Sequence, residues 1–307
     1  MTTRAWLYFA IVSILWGIPY FFIKIAVGEL SPAVVVFARV AIGALMLLPV
    51  AVGTGALAGL RGRLGRLVLL AVVEVIAPFL LIATAEQSIP SSLTSILIAC
   101  VPLVIALLAL WLDASERVTG WRLAGLLGGL AGVIVALGVD LGQGVTLVAA
   151  LLALLACLGY GTGPLLVKRW FADAPSLGVT AAILAISAVV LLLPAMLTAP
   201  HRVPSPGALG ALVVLGIACT GLGYVSFFTL IGLAGAGRAG IITYVTPVVA
   251  LLLGVGFGRE PLTANVGVGF VLIVAGSWLA TRRPGPRRAV SPPAAEHEAA
   301  QESRALP

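Results

Sequence analysis

Charged side chains are scarce in this sequence. Only 9% of its 307 residues are Asp, Glu, Lys or Arg, while 61% are apolar; a soluble domain carries about one quarter charged residues. In water, 18 basic and 11 acidic side chains could not cover a core of that size, so lipid is the expected solvent. Histidine is nearly absent, with His201 in a loop and His297 near the end. The three cysteines, Cys100, Cys157 and Cys219, lie singly in apolar stretches. Without a C-x-x-C pair or a His-Cys cluster, neither a disulfide framework nor a metal site is indicated, and no cofactor is expected. No G-x-x-x-x-G-K-[ST] occurs, so ATP is not the expected drive. The net charge of +7 is scattered between apolar runs, which argues against nucleic acid as a partner and for membrane lipid. With so few acids and histidines, a membrane enzyme has little to work with.

What the chain has in abundance is long apolar runs. A helix rises 1.5 Å per residue, so about 20 apolar residues cross a hydrocarbon layer of roughly 30 Å. Ten stretches fit: about 6–25, 33–53, 67–86, 91–112, 122–139, 145–167, 176–198, 208–231, 238–258 and 263–281. The runs are continuous rather than alternating, which disfavours a barrel. The predicted fold is therefore all-α and polytopic, with ten transmembrane helices. No small-residue cleavage site ends the first run, so it reads as a retained span and not a signal peptide.

Basic residues set the orientation. Arg4, Arg61, Arg63, Arg66, Arg117, Arg122, Lys168, Arg169, Arg238, Arg282, Arg283, Arg287 and Arg288 fall on one side, against Lys24, Arg202 and Arg259 on the other. The positive-inside rule puts both termini in the cytoplasm of a protein of the cell's inner (plasma) membrane. After Ala280 the composition turns to proline, alanine and charge, so residues 282–307 read as a disordered cytoplasmic tail.

Two stretches resemble each other: ILWGIPYFFIK (14–24) and LGYGTGPLLVK (158–168). A shift of 144 places Trp16 on Tyr160, Pro19 on Gly163 and Lys24 on Lys168. The same shift places Glu116 on Glu260 and Thr119 on Thr263, and Pro102 meets Pro247 at 145. This is an internal repeat of five helices, residues 1–140 and 141–281. Five is odd, so the second copy enters the membrane from the opposite side, the arrangement that underlies alternating access in many carriers.

The repeat, the first-span ILWGxxxxxxK, the PAVVVFARVAIGALMLL of residues 32–48 and the paired P…E-x-x-T endings resemble the drug/metabolite transporter superfamily, in its EamA-like family. The resemblance covers residues 6–281. It implies a secondary active carrier of a small polar or amphipathic metabolite, with export as the expected direction; the proton gradient is the expected drive because an acid, Glu74, lies well inside a span. A non-transporting membrane partner or a channel is the alternative.

Polar residues inside the spans are the candidates for substrate binding or coupling. Glu74 in VVEVIAP stands about 12 Å into its span on helical rise. Acids there cost about 2.5–3.5 kcal/mol unless paired or hydrated, so Glu74 is expected to face a central cavity and bind a proton or a cationic group. The alternative is a structural pair with Arg39 or a cap on broken backbone. Arg39 lies early in the second span, where it can snorkel outward or meet an anionic group. Trp16, Pro19, Tyr20, Tyr160 and Tyr224 are candidates for the cavity wall, with Ser91 and Ser92 at the start of the fourth span and Thr243 and Tyr244 in the ninth. Lys24 and Lys168 read as helix-end anchors, and Glu116 and Glu260 as acids favouring the helix that follows each. The protein is expected to be a monomer, or a homodimer through the glycine-rich fifth or tenth span.

Overall fold

The computed structural model describes residues 1–112, 121–138 and 144–281; Glu116 and the tail 282–307 lie outside the described residues. Helix α1 (Thr3–Gly17) starts where the Thr2 hydroxyl accepts from Ala5 N at 3.3 Å. It stops at Gly17, and α2 (Pro19–Val27) resumes on a proline at its first position, where the missing N–H would have no helical partner anyway. The pair runs on as one rod, Thr3–Val27. Ser31 caps α3 (Pro32–Gly53) by accepting from Val34 N at 3.2 Å.

The third rod, Leu64–Ala85, contains α4 (Leu64–Ala71), a π-helical turn at Val72–Ile76 and α5 (Ala77–Ala85). Next come α6 (Ser91–Ile98), α7 (Val101–Leu112), α8 (Trp121–Leu137), α9 (Gly144–Trp170) and α10 (Ser176–Leu197). A second interrupted rod follows: α11 (Pro206–Val214), a π segment at Leu215–Leu222 and α12 (Gly223–Ala234). The short α13 (Ala236–Ala239) leads into α14 (Ile242–Gly256) and α15 (Ala264–Thr281).

Seven of these rods are long and apolar enough to cross a membrane, and Ser91–Leu107, Leu123–Leu137 and Ile242–Gly256 are shorter apolar helices. The chain is an all-α, polytopic membrane protein. Side chains such as Leu45, Val189 and Leu252 stay exposed because lipid, not water, covers them.

Helix α8 lies along α15, α3 along α10, and α6 along α14. Helix α1 contacts α12 and α14, while α9 contacts α5 and α7. The α8–α15 contact is backbone to backbone. A Cβ on Gly125 would stand 2.5 Å from Ala280 N, and one on Gly132 would stand 2.8 Å from Ile273 N. Small residues permit that approach and the van der Waals packing that holds membrane helices together. The glycines at 125, 132, 269 and 276 therefore serve a contact inside the chain.

Candidate functional site

Glu74 sits in the middle of the π turn Val72–Ile76. A π turn accommodates one more residue than an α turn, a distortion that recurs at functional sites. The side chain leans onto α9, where a Cβ built on Gly163 would coincide with Glu74 Oε2. The same oxygen is buried and has no hydrogen-bond partner among the described residues. Nor does Glu74 pair with Arg39: Arg63–Asp173 is the one ion pair among the described residues.

Arg39 does not snorkel. It is 9% exposed, its guanidinium carbon stands 3.9 Å from the centre of the Phe79 ring, and its Nε donates to Thr220 Oγ1 at 3.0 Å. A guanidinium over an aromatic face is held by the ring quadrupole, which gives the cation a partner inside the bundle instead of at the headgroups. Thr220 belongs to the second π segment and donates its own proton to Leu215 O at 2.9 Å. Thus Arg39 links the second π segment to α5, the helix that directly follows the first π turn.

Aromatic side chains surround this link. Tyr160 on α9 meets Phe79 edge-on at 6.5 Å. Trp16 packs against Phe227 at 4.6 Å and edge-on to Tyr224 at 5.6 Å. Its indole lies over Gly223, whose missing side chain leaves Nε1 room. Pro19 is buried at the start of α2, between Trp16 and Tyr20. Tyr20, Glu74, Tyr160 and Tyr224 keep partial exposure inside the bundle, and Arg39 acts electrostatically on all three tyrosines. Five candidates thus converge: Tyr20, Arg39, Glu74, Tyr160 and Tyr224, with Trp16 bordering them through Tyr224.

Other candidates lie elsewhere. Ser91 and Ser92 are buried at the N-terminus of α6 and held by Glu260. Oε1 accepts from Ser91 N and Oγ at 2.8 and 2.9 Å, and Oε2 from Ser92 N at 2.9 Å. Glu260 therefore caps α6 and not the helix that follows it, as its position in the sequence had suggested. Burial alone would raise the Glu260 pKa, but the hydrogen bonds from Ser92 and Ser91 hold it below the usual carboxylate range. Tyr244 reaches Thr281 Oγ1 at 3.1 Å, tying α14 to the end of α15, with Thr243 beside it in the first turn. Lys24 is an anchor of a specific kind: Nζ donates to the carbonyls of Glu86 at 2.6 Å and Ile89 at 3.0 Å.

Sequence reasoning missed Phe79, Thr220 and Glu86. Nothing distinguishes a phenylalanine in an apolar run. Glu86 did carry a signal, an acid at the very end of a span, but it was hidden in the polar stretch that follows. An apolar cleft of about 350 Å³ between α5 and α9, lined by Val73, Ala77, Pro78, Leu81, Leu158 and Gly159, holds none of the candidate residues.

The model of the EamA-like transporter family matches the chain twice, over residues 3–138 and 147–282. The chain belongs to the EamA-like transporter family. Its relatives include the uncharacterized transporter YvbV of Bacillus subtilis, 25% identical over 94% of this chain and 95% of that one. The uncharacterized inner membrane transporter YedA of Escherichia coli is 27% identical over 88% and 90% of the two chains. One solved structure superposes with a TM-score of 0.64 at 23% identity, covering 92% of this chain and 97% of the other, a likeness of fold alone. This EamA-like protein is a secondary transporter of small molecules.

Proposed function

We propose that this EamA-like transporter carries a small polar or amphipathic metabolite out of the cell by alternating access, with Glu74 binding the coupling proton. The unpartnered carboxyl of Glu74, set in a π turn within electrostatic reach of Tyr160 and Tyr224, two tyrosines on which Arg39 also acts, carries this reading. Arg39 offers a positive charge to an anionic group of the cargo, Glu74 holds a proton or a cationic group, and the rings receive the apolar part.

The path is proposed to lie between two inverted five-helix repeats, residues 1–140 and 141–281, with ten spans once the three shorter apolar helices are included. Pairwise regularities support this. Val72, which opens the first π turn, stands 144 positions before Gly216 in the second. Glu29 and Asp173 are also 144 apart; Glu29 accepts from Ser205 N at 2.7 Å at the start of α11, and Asp173 binds Arg63 at the start of α4. The contacts of α1 with α12 and α14 have counterparts in those of α9 with α5 and α7. Both termini are placed in the cytoplasm, from the arginine distribution.

Metabolites that raise the melting temperature of the purified protein supply candidate cargo. In proteoliposomes a carrier saturates and shows counterflow, and a proton-coupled one accumulates cargo against its gradient when a pH difference is imposed. Linear uptake without counterflow would instead identify a channel.

A further inference from the structure

A second carboxyl lies deeper in protein than Glu74. Glu86, the residue after the last turn of α5, has 0% exposure. Neither of its carboxyl oxygens has a hydrogen-bond partner among the described residues. A carboxylate sealed from water without a partner costs several kcal/mol, so a group in this setting carries its proton. The nearest cation does not answer it. Lys24 is close enough to act on the Glu86 carboxyl electrostatically, yet its ammonium is held by the main-chain carbonyls of Glu86 and Ile89.

The turn is held from more than one side. Residues 86–90 join α5 to α6, and the first residues of α6 are gripped by Glu260 from the other half of the chain. Lys24 fastens one side of this turn and Glu260 the other, with Ile89 between them at 1% exposure. The groups that act on the Glu86 carboxyl are Lys24 and Tyr20 on α2, Arg39 on α3 and Glu260 ahead of α15, while Cys157 and Tyr160 on α9 face Tyr20. Among them Lys24 alone is a cation at the turn itself; Arg39 is occupied by Phe79 and Thr220.

We propose that Glu86 is a second proton site, which exchanges with the outer compartment and holds the outer end shut while it is protonated. Loss of the proton leaves a buried anion that must either draw Lys24 off the two carbonyls or reach water. Either outcome unfastens the α5–α6 turn. Glu86 lies 12 residues beyond Glu74, roughly 18 Å along the same rod, so the two acids stand at different depths on one element. The proposal rests on the proton-coupled, outward-opening reading given above, but is tested separately from it.

The test is labelling of Ile89→Cys by a membrane-impermeant maleimide added outside intact cells, across a pH series. The same series is run with Glu86→Gln and with Glu74→Gln added. Labelling of the Ile89→Cys protein, divided at each pH by that of a freely exposed cysteine to remove the thiol's own titration, is expected to rise with external pH, about tenfold per unit at the acid end of a one-proton titration. With Glu86→Gln it stays low and flat, and with Glu74→Gln the rise persists. Infrared spectra supply a second readout: a protonated-carboxyl band sensitive to deuterium exchange that disappears in Glu86→Gln. A labelling rise that survives Glu86→Gln, or a spectrum that the substitution does not change, overturns the proposal whatever Glu74→Gln does to transport. Loss of pH-driven accumulation in Glu74→Gln tests the coupling reading independently.

Discussion

The carboxyl of Glu74 occupies the place that a side chain at position 163 would fill. Two residues 89 apart in sequence therefore share one volume, and only glycine on α9 leaves room for the acid on the π turn. The interruption in LGYGTGPLLVK is explained by its partner across the interface.

Gly163→Ala forces Glu74 aside, and overpacking of this kind costs about 1–3 kcal/mol. The expected result is a lower melting temperature in detergent and loss of transport. Adding Glu74→Ala restores the room, so the double variant recovers its melting temperature while transport stays lost. Failure of the second substitution to raise the melting temperature of the first would show that the two side chains do not share the space.

Glu74→Gln keeps the shape and removes the titration. Folding and membrane insertion are expected to match the parent. Accumulation driven by a pH difference falls to the level of empty liposomes while counterflow of cargo continues. An unchanged rate with an unchanged pH profile would dismiss Glu74 as the coupling acid.

Thr220→Val removes the acceptor of Arg39 Nε. A hydrogen bond to a charged group contributes about 1.5–3 kcal/mol, and the stability loss should lie in that range. Phe79→Leu removes the ring under the guanidinium, for about 0.5–2 kcal/mol. Because both act on one side chain, their effects are expected to be non-additive in a double-mutant cycle. Strict additivity in thermal denaturation would show that Arg39 does not join them.

Asp173 is held down to a pKa of about 2 by its hydrogen bonds from Arg63 and from its own backbone. A depressed carboxylate contributes stability above its ordinary pKa and loses it as pH falls through the folded value. The Arg63–Asp173 contact is thus expected to persist from neutral pH to about 4 and to dissolve toward pH 2. Asp173 is 66% exposed, so Asp173→Asn should cause only a small shift in melting temperature, and salt should shrink it further. Melts at pH 7 and pH 3, with and without added salt, check both statements.

The helical, membrane-bound character was legible because long apolar runs permit little else. Glu74 was legible for the same reason: an acid inside such a run is conspicuous. The direction in which a polar residue faces was not. Lipid and neighbouring helices accept the same leucines and valines, so periodicity could not tell that Arg39 turns inward onto Phe79. Ser91 and Ser92 read as candidates for the cavity wall because their partner, Glu260, lies 168 or more positions away. Glu86 escaped notice because a charged residue beside a loop looks solvated until packing closes over it.

Each π turn is a surplus residue lodged in a helix. In α geometry one residue corresponds to about 100° of rotation, so the stretches flanking Val72–Ile76 are set out of phase with a straight rod. A surplus of this kind can pass along a helix by exchanging one hydrogen bond at a time, swivelling the side chains it overtakes without breaking the chain. Glu74 sits on one such surplus residue, and Thr220, which holds Arg39, on its counterpart, so a shift of either would re-aim the acid or the grip on the base while the rods themselves stay in place.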